Sequence, residues 1–440
     1  MILEKYGYIR AAAAVPRVRA GDTAYNAGEM ISLIKTGASE HDVKVMVFPE
    51  LSVTGYTCAD LFLQTGLLAG AEAALQAILE ETAGCDVLAA VGMPVTAENQ
   101  LFNCAVVFHS GRILAVIPKT FVPNYNEFYE KRWFTSAAAR LGDTVRLCGE
   151  EVPFGENILF RNESSQLVVG VEICEDLWVP VPPSCAAAQS GATLIANLSA
   201  SDETIAKANY RHTLLRSQSA RLVCAYVYAD AGEGESTTDL VFSGHDLVYE
   251  NGRLLAESER FGTGWIQADV DLAMLQAERR RQDTFVGPDK PYATSYRRIR
   301  FDLPVRALDL ARAYPPHPFV PADPAELAER CEEILNIQSA GLAKRLAHTR
   351  STSAVVGLSG GLDSTLALMV TVRAFDRLGM DRVGITAVTM PGFGTTDRTY
   401  DNAVSLARCV GATLREIPIS EAVLAHFRDI GHDPAVHNTT

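Results

Sequence analysis

Three stretches of the chain share one pattern, an apolar run that stops at a residue able to do chemistry. Val43–Phe48 runs into Pro49 and Glu50, Ile113–Ile117 into Pro118 and Lys119, and Leu167–Ile173 into Cys174, Glu175 and Asp176. Short apolar runs bounded in this way read as buried strands. Ligand sites of α/β sheets cluster beyond the carboxyl ends of strands, so the three runs are expected to end at one edge of one sheet. They would bring a carboxylate, an amine and a thiol together. A thiolate attacks carbonyl carbon, a carboxylate takes and returns a proton, and an ammonium stabilises a developing oxyanion, as does a backbone N–H just after the nucleophile. Singly, each residue has an ordinary reading: a cysteine as small core filler, a Glu or Lys on a solvated face.

A second motif lies near the other end. Ala354–Leu358 reads as a strand, Ser359-Gly360-Gly361-Leu362-Asp363-Ser364 follows, and Thr365 onward is an apolar helix start. A glycine-rich turn between strand and helix exposes backbone N–H groups where the helix dipole is positive, which makes a cradle for phosphates. The Gly-Lys-Ser/Thr of a Walker loop and the Gly-x-Gly-x-x-Gly of a dinucleotide fingerprint are both absent from it.

Glu50, Lys119 and Cys174 resemble the Glu-Lys-Cys triad of the nitrilase/amidase superfamily. The likeness extends to Phe48-Pro-Glu-Leu51 before Thr54-Gly55-Tyr56, to Pro118-Lys-Thr120 and to Gly170-Val-Glu-Ile-Cys-Glu-Asp176. It implies a four-layer αββα sandwich over residues 1–275 and thioester chemistry at Cys174. It also implies contacts to a glutamine substrate from Tyr56, Tyr125, Phe128, Glu175 and Ser201, with Glu127 as the second glutamate that supports such triads. Tyr125 and Phe128 also read as loop packing. Residues 359–364 resemble the Ser-Gly-Gly-x-Asp-Ser loop of the ATP pyrophosphatase superfamily, whose members adenylate substrates. That likeness implies ATP at Ser359, Gly360, Gly361, Asp363 and Ser364, Mg²⁺ at Asp363, and a doubly wound, parallel-sheet domain of the adenine nucleotide α-hydrolase kind. Met390-Pro-Gly-Phe-Gly394 is similar to the NAD synthetase branch of that superfamily. Thr395 and Thr396 beside it also read as turn and cap hydroxyls.

The elements that must position these residues alternate along the chain. A first strand at Tyr8–Val15 precedes a helix over 22–40 and the Glu50 strand. A helix over 61–83 and strands at 87–92 and 102–108 lead through Ser110-Gly111 to the Lys119 strand. After Cys174 come strands at 192–198, 222–229 and 240–242, and a hairpin at Asn251-Gly252. This alternation indicates layered α/β architecture. Residues 276–325, with Arg279–Arg281 and Tyr314-Pro-Pro-His-Pro-Phe-Val-Pro321, read as a partly extended linker. The arginines there read as a solvated face, with a phosphate site as the alternative. Asp323 as N-cap, Pro324 at N1 and Glu326 at N3 start a long helix to about Arg350. Residues 326–440 then form a second domain with only three strands, which predicts that the remainder of that domain lies beyond the 440 residues.

Composition narrows the class. Hydrophobic content of 48% with 21% charged residues fits globular domains with sizeable cores. A net charge of −14 argues against nonspecific nucleic-acid binding. No run approaches a membrane span. The first residues lack a secretory-signal pattern, and nine scattered cysteines without a Cys-x-x-Cys pair predict a reducing, cytoplasmic setting. The two resemblances together are similar to the arrangement of glutamine-dependent NAD synthetases. They imply glutamine, ATP and deamido-NAD as substrates, passage of ammonia between two sites, and a homo-oligomer. Another amidating ligase with a different acceptor stays open, as does a nucleotide-binding scaffold with a dead amidase.

Overall fold

The computed structural model describes residues 7–285, 295–304 and 308–436. They fall into two compact units that divide between Ala313 and Tyr314.

The first unit is built on two sheets. Strands β1 (Tyr8–Val15), β2 (Val45–Val47), β3 (Leu88–Ala97), β4 (Gln100–His109) and β5 (Arg112–Pro118) lie in order in one sheet. After a separate hairpin of β6 (Thr144–Leu147) and β7 (Glu150–Pro153) come β8 (Ile158–Asn162), β9 (Val168–Ile173), β10 (Leu194–Ser199), β11 (Ala225–Asp230), β12 (Leu247–Glu250) and β13 (Arg253–Glu257). These make the second sheet, in the order β13-β12-β11-β10-β9-β8. β14 (Gly264–Asp271) returns to pair antiparallel with β1, completing a six-stranded first sheet.

Both sheets are covered on both faces, which is why their strands read as continuous apolar runs. In β1 the alternation sends Ala11 and Ala13 towards the second sheet, where they share a core with Val171, Ile173, Ala196, Leu198 and Val227. Ala12 and Ala14 face the other way, towards helices α1 (Thr23–Glu40) and α2 (Thr65–Glu81), with Met30, Ile34, Leu75 and Ile78. The helix spacing of Ala27, Met30, Ile34 and Gly37 supplies that buried stripe. Asp22 caps α1 by accepting from the Tyr25 N–H at 3.1 Å. On the far side, α3 (Pro183–Gln189) and α4 (Lys207–Leu222) cover the second sheet through Ala187, Ala188, Leu215 and Leu222. The layers run α-β-β-α.

The span expected as linker from 276 is partly folded. Helix α5 (Leu272–Arg281) ends in it, and β15 (Arg297–Phe301) pairs in parallel with β8 at the edge of the second sheet, which thereby has seven strands. Arg280 and Arg281 are exposed, as a solvated face predicts, but Arg279 is half-buried. It donates to the carbonyls of Ala192 (2.7 Å), Leu222 (2.9 Å) and Val223 (3.0 Å), the last two at the C-terminus of α4, and stacks on Phe285 at 4.7 Å. The division between the two units lies at the start of the proline-rich segment, between Ala313 and Tyr314. Residues 240–242, expected as a strand, make only an isolated bridge between Asp202 and Phe242.

The second unit begins with α6 (Pro324–Thr349), which Asp323 caps through the Ala325 N–H at 2.9 Å. Three parallel strands follow in the order β16 (Ala354–Gly357), β17 (Ile385–Thr389), β18 (Thr413–Glu416), interleaved with α7 (Leu362–Leu378) and α8 (Asp397–Val410) and followed by α9 (Ser420–Asp429). Its core joins Leu368, Val372 and Phe375 of α7 to Ile385 and Ala387 of β17 and Ala403 and Ala407 of α8. No single helix among the described residues is long and apolar enough to cross a membrane.

One glycine joins fold to site. A Cβ on Gly92 of β3 would lie 2.2 Å from the Leu51 nitrogen and 2.6 Å from the Pro49 carbonyl oxygen, so the turn that carries Glu50 lies directly against bare backbone. Gly92→Val is expected to displace that turn and lower stability by about 3 kcal/mol or more, as overpacking does. Chemical denaturation of the variant beside the parent protein checks this.

Candidate active site

Glu50 and Lys119 leave the carboxyl ends of β2 and β5 in the first sheet, whereas Cys174 leaves β9 in the second. The expectation that all three end strands of one sheet is corrected: the site forms where the same edge of two stacked sheets meets. β10, also of the second sheet, completes it with Ala200, which follows Ser199.

The centre of the site is the Lys119 ammonium, fully buried. It donates to Glu50 Oε1 at 2.5 Å and to both oxygens of Glu130 at 2.7 and 2.9 Å. Asn103 of β4 donates to Glu50 Oε1 at 2.6 Å and to Glu130 Oε2 at 3.3 Å, and the Ala200 N–H donates to Glu50 Oε2 at 3.1 Å. Tyr56 donates its hydroxyl to Glu130 Oε1 at 3.0 Å. The second supporting glutamate is therefore Glu130, and the expectation for Glu127 is corrected. Glu127 is half-buried and lines the cavities outside the network. Glu130 lies in Tyr-Glu-Lys-Arg, a charged run that reads as solvent-facing; only its distance of eleven residues from Lys119 in a compact loop hints otherwise.

Cys174 has φ +45°, an uncommon left-handed conformation for a residue with a side chain. It opens a short 3-10 turn, Cys174–Leu177, at the end of β9. Asp176 holds that turn by accepting from the N–H groups of Ile173 (3.0 Å) and Phe121 (2.8 Å). Backbone strain of this kind at a strand end presents a nucleophile to a site.

The electrostatics follow from burial and from a charge imbalance, two carboxylates against one ammonium. Burial pushes the Glu50 carboxyl up to about 7, with Lys119 pulling it down and Glu130 pushing it up. Burial works against the Lys119 ammonium, but Glu130 and Glu50 outweigh it and hold its pKa well above the ordinary lysine value. Burial raises the Cys174 thiol well above its ordinary value; Glu50 adds to this and Lys119 opposes it. The shift favours the protonated thiol, and because the thiolate is the reactive form, a base would have to take its proton before the sulfur could act as a nucleophile. A carboxylate with a pKa near 7 is suited to accept that proton.

Cys174 opens onto a cavity of about 490 Å³ lined also by Glu175, Ser201, Tyr125, Glu127, Phe128, Trp178, Pro123 and Lys207. Four of the five expected substrate contacts, Tyr125, Phe128, Glu175 and Ser201, share this cavity with Glu127. Tyr56 instead lines an adjoining cavity of about 760 Å³, with Glu127 and Phe128 between the two. Tyr125 donates its hydroxyl to Glu175 at 2.9 Å, and Ser201 Oγ is buried without a hydrogen-bond partner. Lys207 was not among the expected residues. Its ammonium pairs with Asp202 and lies 5.5 and 5.8 Å from the ring centroids of Trp178 and Phe128. On a polar helix start it carries no sequence signal of its own.

In the second unit, Ser359–Gly361 joins β16 to α7. Gly360 has φ +79°, and a Cβ there would meet the Thr399 carbonyl oxygen at 1.9 Å, so this position demands glycine. The Gly361 N–H donates to Ser359 Oγ at 3.3 Å, and Ser364 donates its hydroxyl to the Gly361 carbonyl at 3.0 Å. Asp363 lies exposed in the first turn of α7. Thr396 caps α8 through Thr399, and Thr395 accepts from the Gly392 N–H at 3.0 Å, so both hydroxyls serve local structure.

Residues 10–280 match the family model described as carbon-nitrogen hydrolase, and the chain belongs to that family. Residues 334–439 match a second model, NAD synthase. The glutamine-dependent NAD(+) synthetase of Mycobacterium tuberculosis is 43% identical over 98% of this chain, and the chain spans 64% of that relative's length. Two solved structures share the fold: a glutamine-dependent NAD(+) synthetase from Cytophaga hutchinsonii (TM-score 0.54, 22% identity, 96% of this chain and 67% of that one), and one from Acinetobacter baumannii in complex with adenosine diphosphate (TM-score 0.51, 23% identity, 98% and 69%).

Glu130→Leu is expected to cost about 3–5 kcal/mol of stability, because it leaves the Lys119 ammonium buried with one partner fewer. Glu127→Leu, outside that network, should cost well under half as much. Denaturant midpoints of the two variants test which glutamate supports the lysine.

Proposed function

We propose that this chain carries the glutamine-hydrolysing unit, and the first part of the ATP-using unit, of a glutamine-dependent NAD synthetase. The observation that carries the first half is the Glu50–Lys119–Glu130 network beside Cys174, at a cavity lined by Glu127, Glu175 and Lys207. A free amino acid has an ammonium and a carboxylate to recognise. Glu175 and Glu127 suit the first, Lys207 and the Ser201 hydroxyl the second, and Phe128 and Tyr125 flank the methylene chain.

The reaction runs as acyl transfer. Cys174 Sγ attacks the side-chain amide carbon of glutamine while Glu50 takes the thiol proton. The amide oxygen becomes an oxyanion stabilised by Lys119 and by the backbone N–H after Cys174. Glu50 then passes its proton to the departing nitrogen, and ammonia leaves a thioester behind. Water, deprotonated by Glu50, attacks the thioester carbon; glutamate departs and the proton returns to Cys174. Lys119 stays cationic throughout, held by Glu130 while Glu50 gains and loses its proton.

For the second half, the Ser359–Ser364 loop would hold ATP phosphates at the start of α7. Asp363 fits a magnesium ligand: one exposed carboxylate, with phosphates and waters supplying the other oxygens, suits that ion. Mg²⁺ would neutralise phosphate charge there. ATP would adenylate the nicotinate carboxylate of deamido-NAD, and ammonia would displace AMP to give NAD. Making ammonia inside the protein has a physical reason, since free ammonia at neutral pH is mostly ammonium and lacks the lone pair.

In the full-length protein, Cys174→Ala is expected to lower glutamine-supported NAD synthesis by about 10⁶ while sparing synthesis from ammonium salt, because only the first pathway needs the covalent nucleophile. Parallel assays with the two nitrogen sources decide it. Loss of both activities in a folded variant would contradict the two-site reading. The pH dependence is a second check. Glu50 must be ionised to act as base, so glutaminase kcat/KM should climb tenfold per pH unit below about 7 and level off above it.

A further inference from the structure

Behind the cavity lies a buried charge cluster that the chemistry above does not use. Its centre is Arg211, fully buried on α4 one turn beyond Lys207. The guanidinium has three neighbours. Its Nε donates to His245 Nδ1 at 3.1 Å, one Nη donates to Glu203 Oε2, and the other lies 3.9 Å from Asp230 Oδ2. Two of these hold the segment that follows β10. Asp230 accepts from the Ser201 N–H at 2.8 Å, and the Glu203 N–H is tied to the Val241 carbonyl at 2.6 Å, while Ser243 donates its hydroxyl to Glu203 Oε2 at 2.5 Å. The third fixes Arg211 itself. His245 Nε2 bonds Glu257 at 2.9 Å. Arginine can only donate, so His245 Nδ1 must accept and the ring proton sits on Nε2. That tautomer makes His245 a donor to Glu257, and His212 Nε2 lies 3.2 Å from the same carboxylate oxygen, so the three residues form a hydrogen-bonded brace.

We propose that Arg211 is a positioning residue that sets the amino-acid specificity of the amidase cavity. It acts by locking the Ser201–Glu203 segment and the first turn of α4, and so the Ser201 hydroxyl and the Lys207 ammonium that face the cavity. Ser201 Oγ, buried and without a partner, is aimed where a ligand would satisfy it. The thiol end of the site is anchored separately, by Asp176 and by the Ala200 N–H on Glu50. Arg211 therefore governs recognition of the α-amino-acid end of the substrate and leaves thiol reactivity alone. The inference rests on the reading of this site as a glutamine amidase.

The test separates the two ends in the full-length protein. Glutamine KM is measured together with the rate at which iodoacetamide labels Cys174, followed by mass spectrometry. Arg211→Met should raise the glutamine KM roughly a hundredfold, the scale of a small displacement of recognition groups, with the labelling rate unchanged. Arg211→Lys, which reaches one or two of the three partners, should recover part of the affinity. An unchanged KM in a folded Arg211→Met protein overturns the proposal. So does a parallel loss of affinity and labelling, which would make Arg211 a support for the whole domain. If Arg211→Met does not fold, Glu203→Gln serves instead: it keeps the shape and removes the charge Arg211 holds. It should raise KM without slowing labelling, and an unaltered KM there overturns the idea equally. Should the parent protein hydrolyse no glutamine although Cys174 labels normally, the amidase reading itself falls.

Discussion

An ammonium with no access to water needs carboxylates, and the first unit is arranged around that requirement. Removing Lys119 from water costs several kcal/mol before any partner is counted. Glu50 and Glu130 offset that cost, and Asn103 and Tyr56 hold both carboxylates in place. The arrangement has a consequence for reactivity. Burial lifts Glu50 into the neutral range against the pull of Lys119, and burial together with the nearby Glu50 disfavours a free thiolate at Cys174. A carboxylate that titrates near neutrality and a thiol that needs a base come from the same exclusion of water.

Holding such a cluster requires a rigid frame, and the frame is made of small side chains and bare backbone. Ala11 to Ala14 let β1 be covered on both faces, and Gly92 lets the Glu50 turn lie against β3. The left-handed Cys174 is sustained by Asp176, whose two backbone bonds pin the turn. Burial raises Asp176 to about 7 as well, so the brace depends on the same exclusion of water as the site it supports. The strain is therefore tolerated because neighbours over-determine it.

The cavity divides into two functions with separate supports. Its thiol end draws on both sheets and is fixed by backbone donors and Lys119. Its far end is carried by the β10–α4 connection and backed by Arg211. The second unit is organised on a different principle. Its loop at Ser359–Ser364 is largely exposed and is held by serine hydroxyls and by Gly360, whose conformation and close backbone neighbour leave no room for a side chain.

Glu50, Lys119, Cys174 and the Ser359–Ser364 loop stood out in the linear chain because their neighbourhoods are local. An apolar run ending at Glu50, Lys119 or Cys174 announces a buried strand with a reactive end, and Ser-Gly-Gly-x-Asp-Ser announces a phosphate turn, each within a few positions. The four-layer order and the hairpin at Asn251-Gly252 could be read for the same reason, since periodicity and turn chemistry are short-range. Tertiary structure alone decided which sheet each strand joins, and so that Cys174 faces Glu50 and Lys119 across two sheets instead of along one. It also decided that Glu130 pairs with Lys119, that Lys207 lines the cavity and that Arg211 is buried among His245, Glu203 and Asp230, although each sits in a polar stretch that looks solvent-facing, and that 297–301 is a strand and not linker. The physical reason is that a charged side chain has no intrinsic preference visible in its neighbours. Whether it meets water or a buried counter-charge depends on residues tens of positions away, and only the folded chain brings those within reach.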